Sequence, residues 1–138
     1  MASSSAPTPK IRQTIVKKNV LNFFLELETT VQLYHWMTTK YSRHKGSDFL
    51  FEKTLESVDK FVETYLGRNG RPKDFNESIT VKRLSDSEFV SYLKKVAIFL
   101  ESKFASEFNI SQTDTDLLNI RDELLGHINQ TLYLFTLE

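Results

Sequence analysis

The 138-residue chain has no cysteine. Disulfides, thiolate metal sites and cysteine nucleophiles are therefore excluded. Glycine (4) and proline (3) are scarce, so few positions are obliged to interrupt a helix. Neither charge is in excess, with 18 Lys plus Arg against 18 Asp plus Glu, which leaves no electrostatic footprint for nucleic acid or an anionic membrane. No apolar run approaches the ~20 residues of a membrane span. The first ten residues, MASSSAPTPK, lack the apolar core of a signal peptide. The expected location is the cytoplasm, and a protein made in a host cytoplasm and packaged in a virus particle would read the same way. Gly-rich phosphate loops, H-E-x-x-H and a nucleophile elbow are absent, and no local motif orders a Ser-His-Asp triad.

What the chain does have is apolar residues at helical spacing, 40% of the total and including eleven Phe. This is enough for one domain with a proper core. Residues 1–10 read as a disordered tail and 11–138 as an all-α, antiparallel four-helix bundle. Helix 1 is predicted over 11–39, from Ile15, Val20, Phe23, Phe24, Leu27, Val31 and Tyr34 at spacings of three and four. Trp36 is expected in the core or at an interface, because its size makes burial valuable. A short link over 40–46 makes helices 1 and 2 antiparallel neighbours. Helix 2 is predicted to start near Ser47 or Asp48, either of which could cap it, and to end near Leu66 with Gly67 as the stop.

Residues 67–85 are a long crossover between helices 2 and 3, pinned by Phe75, Ile79 and Val81, and basic through Arg68, Arg71, Lys73, Lys82 and Arg83. This segment and the tail with Lys10, Arg12, Lys17 and Lys18 make nucleic acid a weakly supported partner. Ser85 opens S-D-S-E, a capping box, and helix 3 follows over 86–107. A turn at Asn109–Asp114 leads to helix 4 over 114–137. Within it Glu123 and His127 read as a surface pair.

The stretch from His35 to Glu63, HWMTTKYSRHKGSDFLFEKTLESVDKFVE, holds two of the three histidines. His44 and Asp48 are four residues apart, and so are Asp59 and Glu63. On a helix that included His44, the four would fall at roughly 0°, 40°, 60° and 100° and so share one side. The midpoints of the two pairs are about 22 Å apart along that helix. Metal–ligand bonds are about 2 Å long, so one ion cannot touch both pairs of one straight helix. A two-fold axis near the helix middle would lay it antiparallel on its twin, setting His44 and Asp48 of one chain against Asp59 and Glu63 of the other, twice per dimer.

HW…H-x3-D…D-x3-E resembles the signature of the Dps family, the ferritin-like DNA-protection proteins. The wider wording is similar to small ferritin-like proteins of large DNA viruses and phages. The Dps resemblance implies a ferroxidase site across a dimer interface, with His35, His44, Asp48, Asp59 and Glu63 as metal ligands and iron as the metal. The interval between His35 and His44 is shorter than in that family, and residues 67–85 replace its short helix, so its closed twelve-subunit shell is not carried over. The residues leave two readings open. One is an iron-binding, ferroxidase-type protein acting as a homodimer or larger homo-oligomer. The other is a non-catalytic structural or interaction protein, a virion component for example, on the same bundle.

Overall fold

A computed structural model describes residues 19–75 and 77–137, and every regular element among them is a helix. They are α1 (Val20–Met37), α2 (Tyr41–Asn69), α3 (Asp86–Ser102), α4 (Phe104–Glu107) and α5 (Thr115–Leu134). Residues 1–18, and with them the expected tail and the start of helix 1, lie outside the described residues. No described helix is long and apolar enough to cross a membrane.

α1 begins where Asn19, in an extended conformation, accepts a hydrogen bond from the Asn22 N–H at 3.1 Å. It buries Val20, Phe24, Leu27, Val31 and Tyr34, a spacing of four and three that keeps one face turned inward. Trp36 is 64% exposed, which corrects the expectation of core packing. It lies two residues past Tyr34, about 200° further round the helix, and so points away from the core.

The break between α1 and α2 is only Thr38–Lys40. The Thr38 hydroxyl accepts from the Lys40 N–H at 3.3 Å and donates to Asp86 Oδ1 at 3.0 Å, side-chain bonds that compete with continuation of the helix. α2 therefore starts at Tyr41, earlier than expected. His44 lies inside it, and neither Ser47 nor Asp48 is a cap. The helix also runs past Gly67 to Asn69. Gly70, at φ 75°, ends it in a conformation that glycine adopts without a steric penalty.

The helices pack in antiparallel pairs. α1 meets α2 with His35 beside His44 at one end and Phe24 against Phe61 at the other, ring centroids 5.1 Å apart. α2 meets α5 with Gly46 beside Phe135 at one end and Arg68 bonded to Asp116 at the other. α3 also packs on α5, with Phe89 near Phe135 and Arg121 donating to the Leu100 carbonyl at 3.1 Å. Phe24, Phe61 and Phe104 meet at the centre, all within 5.8 Å of one another by ring centroid. Each fully buried Phe or Leu contributes roughly 1.5–3 kcal/mol by leaving water.

The expected capping box closes α3: Ser85 Oγ accepts from the Glu88 N–H at 3.2 Å, and Glu88 Oε1 accepts from the Ser85 N–H at 2.9 Å. The predicted third helix is interrupted at Lys103, where the backbone (φ −127°) leaves helical geometry before α4. The connection over 70–85 forms no helix or strand among its described residues. Of the three residues expected to pin it, Phe75 is 47% exposed and does not, whereas Ile79 and Val81 are half-buried. Hydrogen bonds also hold it: Asn19 Nδ2 donates to the Asp74 carbonyl at 2.6 Å, and the Thr80 N–H donates to Glu26 Oε2 at 3.2 Å.

Candidate metal centre

Where α1 ends and α2 begins, His35 and His44 lie with ring centroids 4.0 Å apart and planes 17° from parallel. Their hydrogen bonds are reciprocal. His35 Nδ1 is 3.0 Å from the His44 carbonyl oxygen, and His44 Nδ1 is 3.1 Å from the His35 carbonyl oxygen. A carbonyl oxygen only accepts, so both Nδ1 atoms carry the proton. That arrangement turns Nε2 of each ring outward as the atom a metal would take, the tautomer that metal-binding imidazoles use. Ser47, fully buried, supports the arrangement: its Oγ donates to the His44 carbonyl at 3.2 Å and lies 3.1 Å from His35 Nδ1.

Of the predicted acidic ligands, one joins the histidines. Asp48 Oδ1 is 3.8 Å from His35 Nε2, with the His35 side chain 12% exposed and that of Asp48 45%. Asp59 and Glu63 lie further along the same unbroken helix and are exposed. Because α2 includes His44, the arc of roughly 100° covering His44, Asp48, Asp59 and Glu63 applies to the real helix. The pairs nevertheless remain about 22 Å apart along it. Among the described residues, no group of three or more His, Asp or Glu side chains converges to hold a metal ion. Glu123 and His127 make an i, i+4 contact at 3.8 Å on the surface of α5.

Sequence reasoning missed Glu28. It lies seven residues before His35 and so on the same side of α1. Burial, and then the neighbouring Asp59 carboxylate, raise its pKa above the ordinary carboxylate value. The signal available was that i, i+7 relation, which by itself does not place α1 beside Asp59.

The end of the molecule that carries the histidines is held by a second polar cluster. The Tyr34 hydroxyl donates to Asp86 Oδ1 at 2.7 Å, and Arg43 donates to the Tyr34 hydroxyl at 3.2 Å and to the Asp86 carbonyl at 3.1 Å. The Arg43 guanidinium lies 4.5 Å from the centre of the Phe135 ring, and Tyr34 stacks on Phe89 at 3.9 Å. The Tyr34 hydrogen bond holds Asp86 below its ordinary carboxylate pKa. Burial raises the Tyr34 hydroxyl pKa.

No solved structure matches the chain. The chain is similar to an uncharacterised 14.6 kDa protein of Enterobacteria phage T4 encoded in the mobD-ri intergenic region. The two are 28% identical over 124 residues, covering 83% of this chain and 87% of the phage protein. A family model described as a family of unknown function matches residues 35–135, a span that holds all five predicted ligands, and the chain accordingly belongs to that family, DUF5856.

Proposed function

We propose that the protein is a Dps-like, ferritin-like four-helix bundle that binds iron in a site completed by a second copy of the chain. The pair directions support the bundle: α2 and α3 both run antiparallel to α5, so they are parallel to each other and need the long crossover of residues 70–85. The observation that carries the metal reading is the locked pair of imidazoles. Their Nδ1 atoms are committed to backbone carbonyls at 3.0 and 3.1 Å, which leaves Nε2 as the ligating atom of each ring, and His35 Nε2 lies 3.8 Å from Asp48 Oδ1. One chain supplies this nitrogen-rich half. Asp59 and Glu63, about 22 Å away on the same helix, would supply the carboxylate half to a partner.

Imidazole and carboxylate donors suit iron, with zinc and manganese as competitors. Bound there, iron would supply ferroxidase-type chemistry, the oxidation of ferrous ions by peroxide or oxygen. His35, His44 and Asp48 would orient the ion, and Asp59 and Glu63 of the second copy would balance its charge. The test mixes Asp48→Ala and Asp59→Ala chains. Neither variant alone should hold an intact site, whereas mixed dimers should regain one site in two. Metal retained by a single chain lacking both Asp48 and Asp59 would overturn the reading.

One observation favours a non-catalytic interaction protein on the same fold. Trp36 and Tyr41 flank the α1–α2 turn at 64% and 76% exposure, a pattern common where another protein docks. Normal folding with no iron uptake under aerobic ferrous titration would leave that reading standing.

A further inference from the structure

The α1–α2 face carries an open groove of about 730 Å³. Leu21 and Leu25 of α1 and Leu55 and Val62 of α2 give it an apolar floor, on which Leu25 and Leu55 remain 39% and 41% exposed. Glu28, Glu52, Glu56 and Asp59 stand around that floor, and none of the described residues lining the groove is basic. Burial and the neighbouring Asp59 already raise the Glu28 pKa, so a cation brought alongside would be favoured. The groove is concave, apolar and acidic.

The turn between α1 and α2 has the opposite character. Trp36, Met37 and Tyr41 are exposed there, and so are Lys40, Lys45 and Arg83. Tyr41 and Lys45 are four residues apart and share one side of α2. Arg83 and Met37 line one depression beside the turn. The carboxylates here are engaged: Asp86 accepts from Tyr34 and Thr38 and lies 3.9 Å from Lys40, while Asp48 faces His35 Nε2 at 3.8 Å. The turn is a projecting tip, apolar and basic, and so complements the groove in shape and in charge.

Trp36 lies eight residues beyond Glu28 on one helix, about 12 Å along its axis. A chain therefore cannot seat its own tip in its own groove. We propose that the tip of one copy docks in the α1–α2 groove of another, with Trp36 and Tyr41 on the floor and Lys45 against the carboxylates. Tip and groove are different patches, so the contact is head-to-tail and extends beyond a dimer, as an open chain or a closed ring. Two aromatic side chains bury roughly 150–250 Å² each, well below the ~1,200 Å² of a stable interface, so the association is weak and depends on concentration. Asp59 belongs to this groove and to the proposed metal pairing, so a copy whose groove is filled cannot lend Asp59 to a metal site. The docking rests on the exposed tip and the groove, not on the metal reading.

The test uses the full chain in a metal chelator, so that metal-dependent pairing does not contribute. Mass by light scattering should rise past the dimer as protein concentration is raised. Trp36→Ser with Tyr41→Ser removes the tip, and Glu52→Lys with Glu56→Lys, at exposed positions, reverses the rim. Circular dichroism checks that both variants fold. Each variant alone should self-associate at least roughly tenfold more weakly than the parent. An equimolar mixture should regain association and stop at the dimer, because one intact tip and one intact groove remain in each pair. Trp36 is the only tryptophan, so in the mixture it reports from the charge-reversed chain alone, and its emission should move to shorter wavelength as it leaves water. A parent that stays a single chain at every concentration, variants that associate as the parent does, or a mixture with no dimer and unshifted emission would each overturn the proposal. None of these results would touch the metal reading, which is tested with iron present.

Discussion

Replacing Gly46 by Ala tests how the first turns of α2, which carry His44 and Ser47, are seated. A Cβ at this position would lie 2.8 Å from Phe135 Cε1 and 3.2 Å from Cδ1. The ring has little room to retreat. Phe135 is 4% exposed, Tyr34 and Phe89 stand at 6.2 and 6.1 Å, and the Arg43 guanidinium lies 4.5 Å from its centre. Overpacking of this kind costs roughly 1–3 kcal/mol. Against it, Ala in a helix interior gains up to about 1 kcal/mol over Gly.

Gly126 in α5 supplies the control, because a Cβ there meets nothing within 4 Å. Gly126→Ala should stabilise the fold by about 0.5–1 kcal/mol, whereas Gly46→Ala should be neutral or destabilising by up to about 2 kcal/mol. The difference between the two isolates the contact with Phe135. Urea unfolding gives both values from shifts in midpoint at constant slope. If Gly46→Ala stabilised as much as Gly126→Ala, close seating of α2 on the end of α5 would be refuted.

Two further outcomes follow from the polar groups. Asp86→Ala removes the acceptor of Tyr34 and Thr38 and should cost about 1.5–3 kcal/mol by urea unfolding; a change under about 0.5 kcal/mol would show that the cluster does not hold α3 to this end. Because the folded pKa of Asp86 lies below the ordinary 3.8, its stabilisation is present above that value and lost as pH falls through the folded pKa, and the Ala variant should lack that acid-side loss. Glu28 has the opposite sign, its pKa being raised above 4.5, so the stability linked to it is present below 4.5 and lost as pH rises through the folded pKa. Glu28→Gln should therefore flatten the decline above pH 4.5 and match or exceed the parent at neutral pH; a clear loss at neutral pH would contradict the placement of Glu28.

The helical character was legible because Val20, Phe24, Leu27, Val31 and Tyr34 repeat at three and four, and because Ser85 and Glu88 form a capping box by local chemistry alone. The breaks were not. Thr38 ends α1 through a bond to Asp86, which is distant in sequence, and no local rule reports such a partner. Gly67 was read as a stop, but α2 gains three further residues and contacts α5 through Arg68, which donates to Asp116 at 3.0 and 3.1 Å. At the candidate centre, the common side of His44, Asp48, Asp59 and Glu63 could be read from periodicity once α2 was continuous. The stacking of His35 on His44 and the exposure of Trp36 depended on where the α1–α2 break falls. Glu28 needed the antiparallel register of two helices, which spacing within one of them does not reveal.

The most direct test of the account is a ferrous titration of the full chain under anaerobic conditions, following Trp36 fluorescence and mass by light scattering together. Trp36 is the sole tryptophan and adjoins His35 in sequence, so it reports on the imidazole pair. The account expects saturation at one ion per chain with a fluorescence change and formation of dimers or larger assemblies, and loss of all three signals in His44→Ala. A folded protein that takes up no metal and stays a single chain, with Trp36 unchanged, would contradict it.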